Sequence, residues 1–262
     1  MNKITIAPRY YRWHVDEGIV WIEKNTSYAH LNWEIPIAQT ALVLVDIWSH
    51  HYLKDTKARS EEIVSNNIVP LLHACRKAEM PIVHAPAPRL AEAHPSWVNL
   101  IEKGKTSTNA KNNWPPAEFR SKTGIYEHYA RPIEPREEEL TETRARLAMH
   151  PLVQVEGQEA VISTGEELHR WCKQKDILFL FYLGFNTNAC ILMRDYGTLA
   201  MGRRGYEIIL LRDCTTGMES FETHESLGQT RGAVLFLEMF GHYSLTSEEL
   251  IAGLDGKGYE GE

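Results

Sequence analysis

The feature that most constrains this chain is a series of near-continuous apolar runs, each followed by a segment of helical periodicity. "TALVLVDIW" (Thr40 to Trp48) and "DILFLFYLG" (ending at Gly184) offer almost no polar side chain to water. A strand with one solvated face would alternate apolar and polar residues. Runs this uniform need cover on both faces, which is the situation of a parallel sheet between two helical layers. After the first run, Ile63, Ile68, Leu71, Leu72 and Cys75 set an apolar stripe on a helix expected over Ser60 to Glu79. "MPIVHAP" reads as the second strand and "EAVIST" (Glu159 to Thr164) as the third, before a helix in "GEELHRWCKQK". "GYEIILLRDCT" and "HYSLTS" supply the fifth and sixth strands, with helices in "ESLGQTRGAVLFLEMF" and "EELIAGL". Strands and helices alternating in this way predict βαβ units with right-handed crossovers. The fold class is α/β: a doubly wound, six-stranded parallel sheet with helices on both faces.

Two stretches stand outside this rhythm. Residues 1–39 are rich in aromatics, among them Tyr10, Tyr11, Trp13, Trp21, Tyr28 and Trp33. They read as an arm that packs on the body or on a neighbouring subunit, with "GIVWIEK" as a strand candidate. Residues 40–262 then form one domain, carrying a long insertion after strand 2 at about 87–151. A connection of that length is expected to cap a site or meet another subunit.

Composition removes several classes of function. Of 262 residues, 28 are Lys or Arg and 35 are Asp or Glu, a net charge of -7 with the two signs interspersed. There is no basic block of the kind a nucleic-acid groove needs, and no apolar run long enough for a membrane span. The start of the chain is too polar for a secretory signal, and the four cysteines show no CxxC or zinc-type spacing. The expected setting is the cytoplasm, with a small-molecule substrate, no nucleic acid and no membrane.

In open α/β sheets, ligands sit beyond the carboxyl ends of the strands. Asp46, His84, the residues following Thr164, Cys190 and Asp213 all fall just after strands. An aspartate ending an apolar strand is costly unless it is paired or used. Cys190 follows a polar turn that begins at Gly184 and stands at the start of a helical segment, where amides and the helix dipole favour thiolate. Arg194 lies one turn further on the same face. In the insertion, "GIYEHYARP" offers Tyr126 and Arg131, the latter able to hold a carboxylate. Trp48 and Trp114 are candidate apolar walls, and His84 a candidate pocket residue.

"TALVLVDIW", "PIVHAP", "GFNTNACILMRDYGTLAMGRRGYEIILLRD" and "GHYSLTSEEL" resemble the isochorismatase-like cysteine hydrolases, which include nicotinamidases, N-carbamoylsarcosine amidohydrolases, and ureidoacrylate and biuret hydrolases. The resemblance runs from about Thr40 to Leu254 and leaves out the arm and most of the insertion. Its most specific part is the turn marked by Gly184, Thr187 and Cys190. It implies an Asp-Lys-Cys triad, with Asp46 as general base and Cys190 as nucleophile. It also implies a cis peptide between Phe185 and Asn186, and an oxyanion site formed by the amides of Asn186 and Cys190. A homo-oligomer is implied as well. The triad lysine is where this chain departs, because none stands between Glu156 and Arg170. Glu156, Glu166 and Glu167 are candidates for that space, with Glu166 favoured because it follows the strand end most directly. Arg194 is a second possible source of positive charge. The metal-binding pattern of the nicotinamidases is missing, so neither metal nor cofactor is expected. The resulting expectation is hydrolysis of a small amide or ureido C–N bond through a thioester on Cys190. The alternatives are ether hydrolysis by Asp46, as in true isochorismatases, and a ligand-binding protein without turnover.

Overall fold

The computed structural model describes residues 2–101 and 114–257. Its centre is an eight-stranded sheet. The strands are β2 (Arg9–Arg12), β3 (Ser27–His30), β5 (Thr40–Val45), β6 (Ile82–Ala85), β7 (Ala160–Val161), β8 (Phe179–Phe185), β9 (Glu207–Thr216) and β10 (Tyr243–Leu245). They lie in the order β3-β2-β10-β9-β8-β5-β6-β7. The six from β10 to β7 are mutually parallel, as the apolar runs require. Chain order along the sheet reverses between β5 and β8. A doubly wound sheet opens its ligand crevice at such a point.

Side-chain alternation divides the core in two. Leu42 and Leu44 of β5 point to a cluster with Val64, Ile68, Leu71, Leu72 and Cys75. These come from α1 (Lys54–Ile63), a π-helical turn and α2 (Val69–Lys77), which together fill the expected helix. Ala41, Val43 and Val45 point the other way. There they meet Leu168, Trp171 and Cys172 of α6 (Gly165–Lys175), Met201 of α7 (Thr198–Arg203), and Val234 and Leu237 of α8 (Gly228–Met239). Each leucine or isoleucine so buried contributes about 2 kcal/mol relative to exposure, before chain entropy is set against it. The last helix, α9 (Ser247–Leu254), opens with a full capping box between Thr246 and Glu249. Among the described residues no helix is long and apolar enough to cross a membrane.

The arm is more integrated than its sequence suggests. β1 (Lys3–Ile6) pairs with β4 (Trp33–Pro36), while β2 extends the main sheet antiparallel to β10 and β3 pairs antiparallel with β2. "GIVWIEK" is not a strand. It forms a turn and a single 3-10 turn at Glu23–Asn25, with Ile19, Val20, Trp21 and Ile22 exposed. Apolar content alone does not make a strand where no partner edge is available.

Residues 102–113 of the insertion lie outside the described residues. Before them, α3 (Pro88–Glu92) leads to a segment in which Trp97 bridges Val161. After them come α4 (Ala117–Ser121), a 3-10 segment at Gly124–Tyr129 and α5 (Glu137–Ala145), none with a buried residue. The insertion rejoins the body where Met149 bridges Trp48 and the His150 amide donates to the Ile47 carbonyl at 2.9 Å.

Candidate active site

Strands β5 and β8 are adjacent and in register, with Val45 opposite Gly184. The residues that follow their ends therefore meet. Asp46 has φ 47°, a left-handed conformation that a non-glycine residue adopts only under constraint. Its amide is held by the Ala85 carbonyl at 3.0 Å. Its carboxylate is buried against Arg194, with the Ala87 amide and the Cys190 thiol near enough to act on its charge. Arg194 donates to a single carboxylate oxygen, Oδ2, from Nη2 at 3.1 Å and Nε at 3.4 Å. Among the described residues Arg194 is the only ion-pair partner of Asp46.

The turn that carries the thiol is tied down on every side. The Phe185–Asn186 peptide is cis. The Asn186 carbonyl accepts from the amides of Ala189 (3.0 Å) and Ile191 (3.2 Å), the second bond closing a π-turn over Thr187–Ile191. Thr187 and Thr215 share a buried hydroxyl–hydroxyl bond of 2.6 Å. Asn188 donates to the Met218 carbonyl and accepts from the Met218 amide. The Asn186 amide lies close enough to the Cys190 sulfur to act against the upward shift of its thiol.

No long helix follows. After the π-turn the chain breaks across residues 194–197 and becomes helical again only in α7. Tyr196 holds the break, its hydroxyl on the Pro86 carbonyl at 3.3 Å and its own carbonyl taking the Tyr182 hydroxyl at 2.8 Å. Asp195 accepts from the Gly165 amide at 2.8 Å. These contacts set the direction in which Arg194 leaves the backbone.

Electrostatics at the centre differ from the expectation of a thiolate held by a helix end. Burial, and then the charge of Asp46, push the Cys190 thiol up to about 11, outweighing Arg194 and the Asn186 amide. Burial likewise raises Asp46, although Arg194 and the thiol hydrogen bond pull the other way. At neutral pH Cys190 is therefore a thiol, set beside the Asp46–Arg194 pair.

The other candidate residues are distributed differently. Glu166 does not occupy the space of the missing lysine. It lies on the outer side of α6, bonded to Arg170 (2.9 Å) and Arg204 (3.0 Å), and these two arginines hold its carboxyl below the usual range. Glu167, one residue on, turns inward, where it accepts from the Ser163 amide and hydroxyl and from Trp97 Nε1. It fastens the helix start to the insertion. Glu156 pairs with Arg76. Trp48 is buried against Phe185, ring centroids 5.1 Å apart, and so supports the strand end that bears the turn. Tyr126 packs edge-on to Phe119, while Arg131 and Trp114 are exposed, so the insertion brings none of the three to the thiol.

His84 belongs to a separate cluster. Val83 and Ala85 face the cluster that Cys190 packs against, so alternation along β6 turns His84 to the opposite face. There its Nε2 lies 2.8 Å from Glu159, which also takes Arg76 Nε at 2.7 Å. A cleft of about 540 Å³ lies beside Arg76 and Glu159, near the start of β6 and away from Asp46. Burial acts to raise Glu159, but the hydrogen bonds from His84 and Arg76 prevail and leave it at about 2. A carboxyl lowered in the fold stabilises above its ordinary 4.5 and loses that contribution as pH falls towards 2. Glu159→Gln is expected to cost roughly 3 kcal/mol at pH 7, because it removes the largely enclosed carboxylate that joins Arg76 to His84. Urea unfolding checks this, and the variant's deficit should shrink between pH 5 and pH 3.

Comparison with known proteins agrees with this architecture. A family model described as "Isochorismatase domain" matches residues 40–239. A cysteine hydrolase structure from Pseudomonas syringae pv. phaseolicola 1448A is similar at 16% identity and a TM-score of 0.56, covering 86% of this chain and 96% of that one. An isochorismatase structure from Pseudomonas putida KT2440 is similar at 15% identity and a TM-score of 0.49, covering 81% and 90%. At 16% identity the first of these likenesses speaks for the fold alone. No curated protein matches the chain.

Proposed function

The chain belongs to the isochorismatase family and has its hydrolase fold, and we propose that it hydrolyses a small amide or ureido C–N bond through a covalent intermediate on Cys190. The observation that carries this reading is the grouping of the Asp46–Arg194 ion pair with Cys190 at the point where strand order reverses. A thiol with a titrating pKa near 11 is a poor nucleophile unless a base removes its proton during attack. Asp46 is the carboxylate beside that thiol. In the first step the sulfur bonds to the substrate carbonyl carbon as Asp46 takes the thiol proton. The carbonyl π electrons move to oxygen, where the Asn186 amide, and with it that of Cys190, stabilises the charge. Collapse of this intermediate breaks the C–N bond, and the proton on Asp46 goes to the departing nitrogen. Water then attacks the thioester, giving its proton to Asp46, and the released acid leaves Cys190 as a thiol again.

Arg194 stands in for the missing lysine as a charge but not as a base, since a guanidinium keeps its protons at any working pH. Its role here is to make a buried Asp46 anion tolerable beside the reacting centre. The test is rapid quenching of the enzyme with a panel of amides, ureas and hydantoins, followed by mass analysis of the Cys190 peptide. An acyl adduct that forms and decays at the turnover rate supports the proposal. Turnover with no adduct would move the chemistry to Asp46 alone, and absence of turnover across the panel would leave a binding protein.

A further inference from the structure

The N-terminal arm creates an apolar face that the described residues do not cover. In the loop between β2 and β3, Val20 is 68% exposed and Trp21 63%, with Ile19 and Ile22 open beside them. Hydrogen bonds join this tip to the body. Trp21 Nε1 donates to the Trp13 carbonyl at 2.7 Å, and Trp13 Nε1 donates to the Met239 carbonyl at 3.1 Å. Met239 ends α8, where Phe236 and Phe240 pack on each other with ring centroids 5.0 Å apart and stay open to solvent, Phe240 at 62%. The loop tip, Trp13 and the end of α8 are thus linked into one surface. The charges beside it, Arg12 and Asp16, are paired with each other.

Size decides what such a face can do. The exposed parts of these side chains amount to roughly 750 Å². The largest apolar patch on an ordinary monomer is about 300–600 Å². One side of a stable protein interface buries about 800 Å². Aromatic content without charge is also the make-up of an interface core. A face of this extent invites aggregation unless it is covered as soon as the chain folds. The partner present wherever this chain is made is another copy of it. Under a two-fold axis the same face meets itself, so both copies are covered and nothing is left for further growth.

We propose that this face is the contact of a homodimer, in which each copy lays its β2–β3 loop and the end of α8 against the same elements of the other. The face stands at the β3 end of the sheet, with β10 and β9 between it and β8. The proposal is therefore independent of the chemistry at Cys190.

Sedimentation velocity of the full chain at about 10 µM reads the mass. The unmodified protein is expected at twice its 30.0 kDa chain mass. Val20→Glu combined with Phe240→Glu puts four charges into the paired face. It should raise the dissociation constant at least about 100-fold and leave single chains at this concentration. Ile133→Glu, at an almost fully exposed site in the insertion, should keep the mass of the pair. A second reading uses the unmodified protein, so it stands even if the variants fail to fold. Trp114, far along the chain from the arm, is 77% exposed. In the pair Trp21 is covered, and hydroxyl radicals should oxidise it at least about fivefold more slowly than Trp114. A single-chain mass for the unmodified protein would overturn the proposal, as would a pair that survives the double substitution. So would a pair that Ile133→Glu splits, or equal oxidation of the two tryptophans.

Discussion

Cys190→Ala is expected to lower hydrolysis by at least about 10⁴-fold while leaving the folded protein as stable as before, to within about 1 kcal/mol. The size of the loss follows from the chemistry. Without the sulfur there is no thioester, and the remaining catalytic groups hold a water molecule no better than they hold any solvent. A factor of 10⁴ corresponds to about 5.5 kcal/mol of transition-state stabilisation. The small effect on stability follows from the packing. Cys190 is only partly buried and borders the core beneath α6 and α7 without entering it. Cys75, Cys172 and Cys214 are fully buried, and burial pushes all three thiols up. Substituting any of them should cost stability with no selective loss of turnover. Steady-state kinetics and thermal unfolding of the four alanine variants check the contrast.

Gly184→Ala has the largest expected effect on structure. Gly184 has φ +123°, outside the range of L side chains, and its added Cβ would lie 1.9 Å from the Val45 carbonyl oxygen and 3.0 Å from Ile47 Cδ1. The obstacle is backbone of the neighbouring central strand, so no rotamer change relieves it. The glycine allows β5 and β8 to run close at their carboxyl ends, and that closeness brings Asp46 to the Cys190 turn. The Gly184 carbonyl is also the acceptor for Thr215 Oγ1 at 2.7 Å. Alanine there should destabilise the fold by more than about 3 kcal/mol, through forbidden backbone geometry and overpacking together. Denaturant unfolding measures it, and any folded fraction should have lost Cys190-dependent activity. A variant as stable and active as the natural chain would mean that the strand ends are not held so closely.

The parallel sheet was legible because strands buried on both faces leave an unbroken apolar record. β5 and β8 carry it in full, and the glycine that ends the second run marks the crossing point of the fold. β2 and β3 left no such record. "RYYR" and "SYAH" are short and partly exposed at the sheet edge, so nothing in their composition separates them from the exposed "GIVW" nearby. At the site, Asp46 and Cys190 could be found because each follows a strand end, Asp46 directly and Cys190 one turn later, and strand ends converge by topology. Glu166 could not be judged in this way. Consecutive helix residues diverge by about 100°, and one step decides whether a carboxylate faces Arg204 or the buried side filled by Glu167. The partner of Asp46 was visible only as a helical neighbour of Cys190. Its contact depends on the chain break held by Asp195 and Tyr196, for which the local sequence carries no simple signal. The insertion residues Tyr126 and Arg131 have functional side-chain types but no apolar anchor to fix where they point.

The central claim is that Asp46 and Cys190 act on each other within one centre, and Asp46→Asn tests it through two readings of opposite sign. The Asp46 charge helps hold the thiol at about 11, so its removal, with Arg194 left unbalanced, should let the thiol titrate lower. Each unit of decrease gives roughly ten times more thiolate at pH 8. Iodoacetamide should therefore modify Cys190 at least about tenfold faster in Asp46→Asn, with the Cys190→Ala protein as the blank. Hydrolysis should fall by about 10²- to 10⁴-fold, because the base has gone. Faster alkylation with slower turnover is the predicted result. Alkylation unchanged by the substitution, or turnover undiminished, would show that the carboxylate and the thiol do not work together.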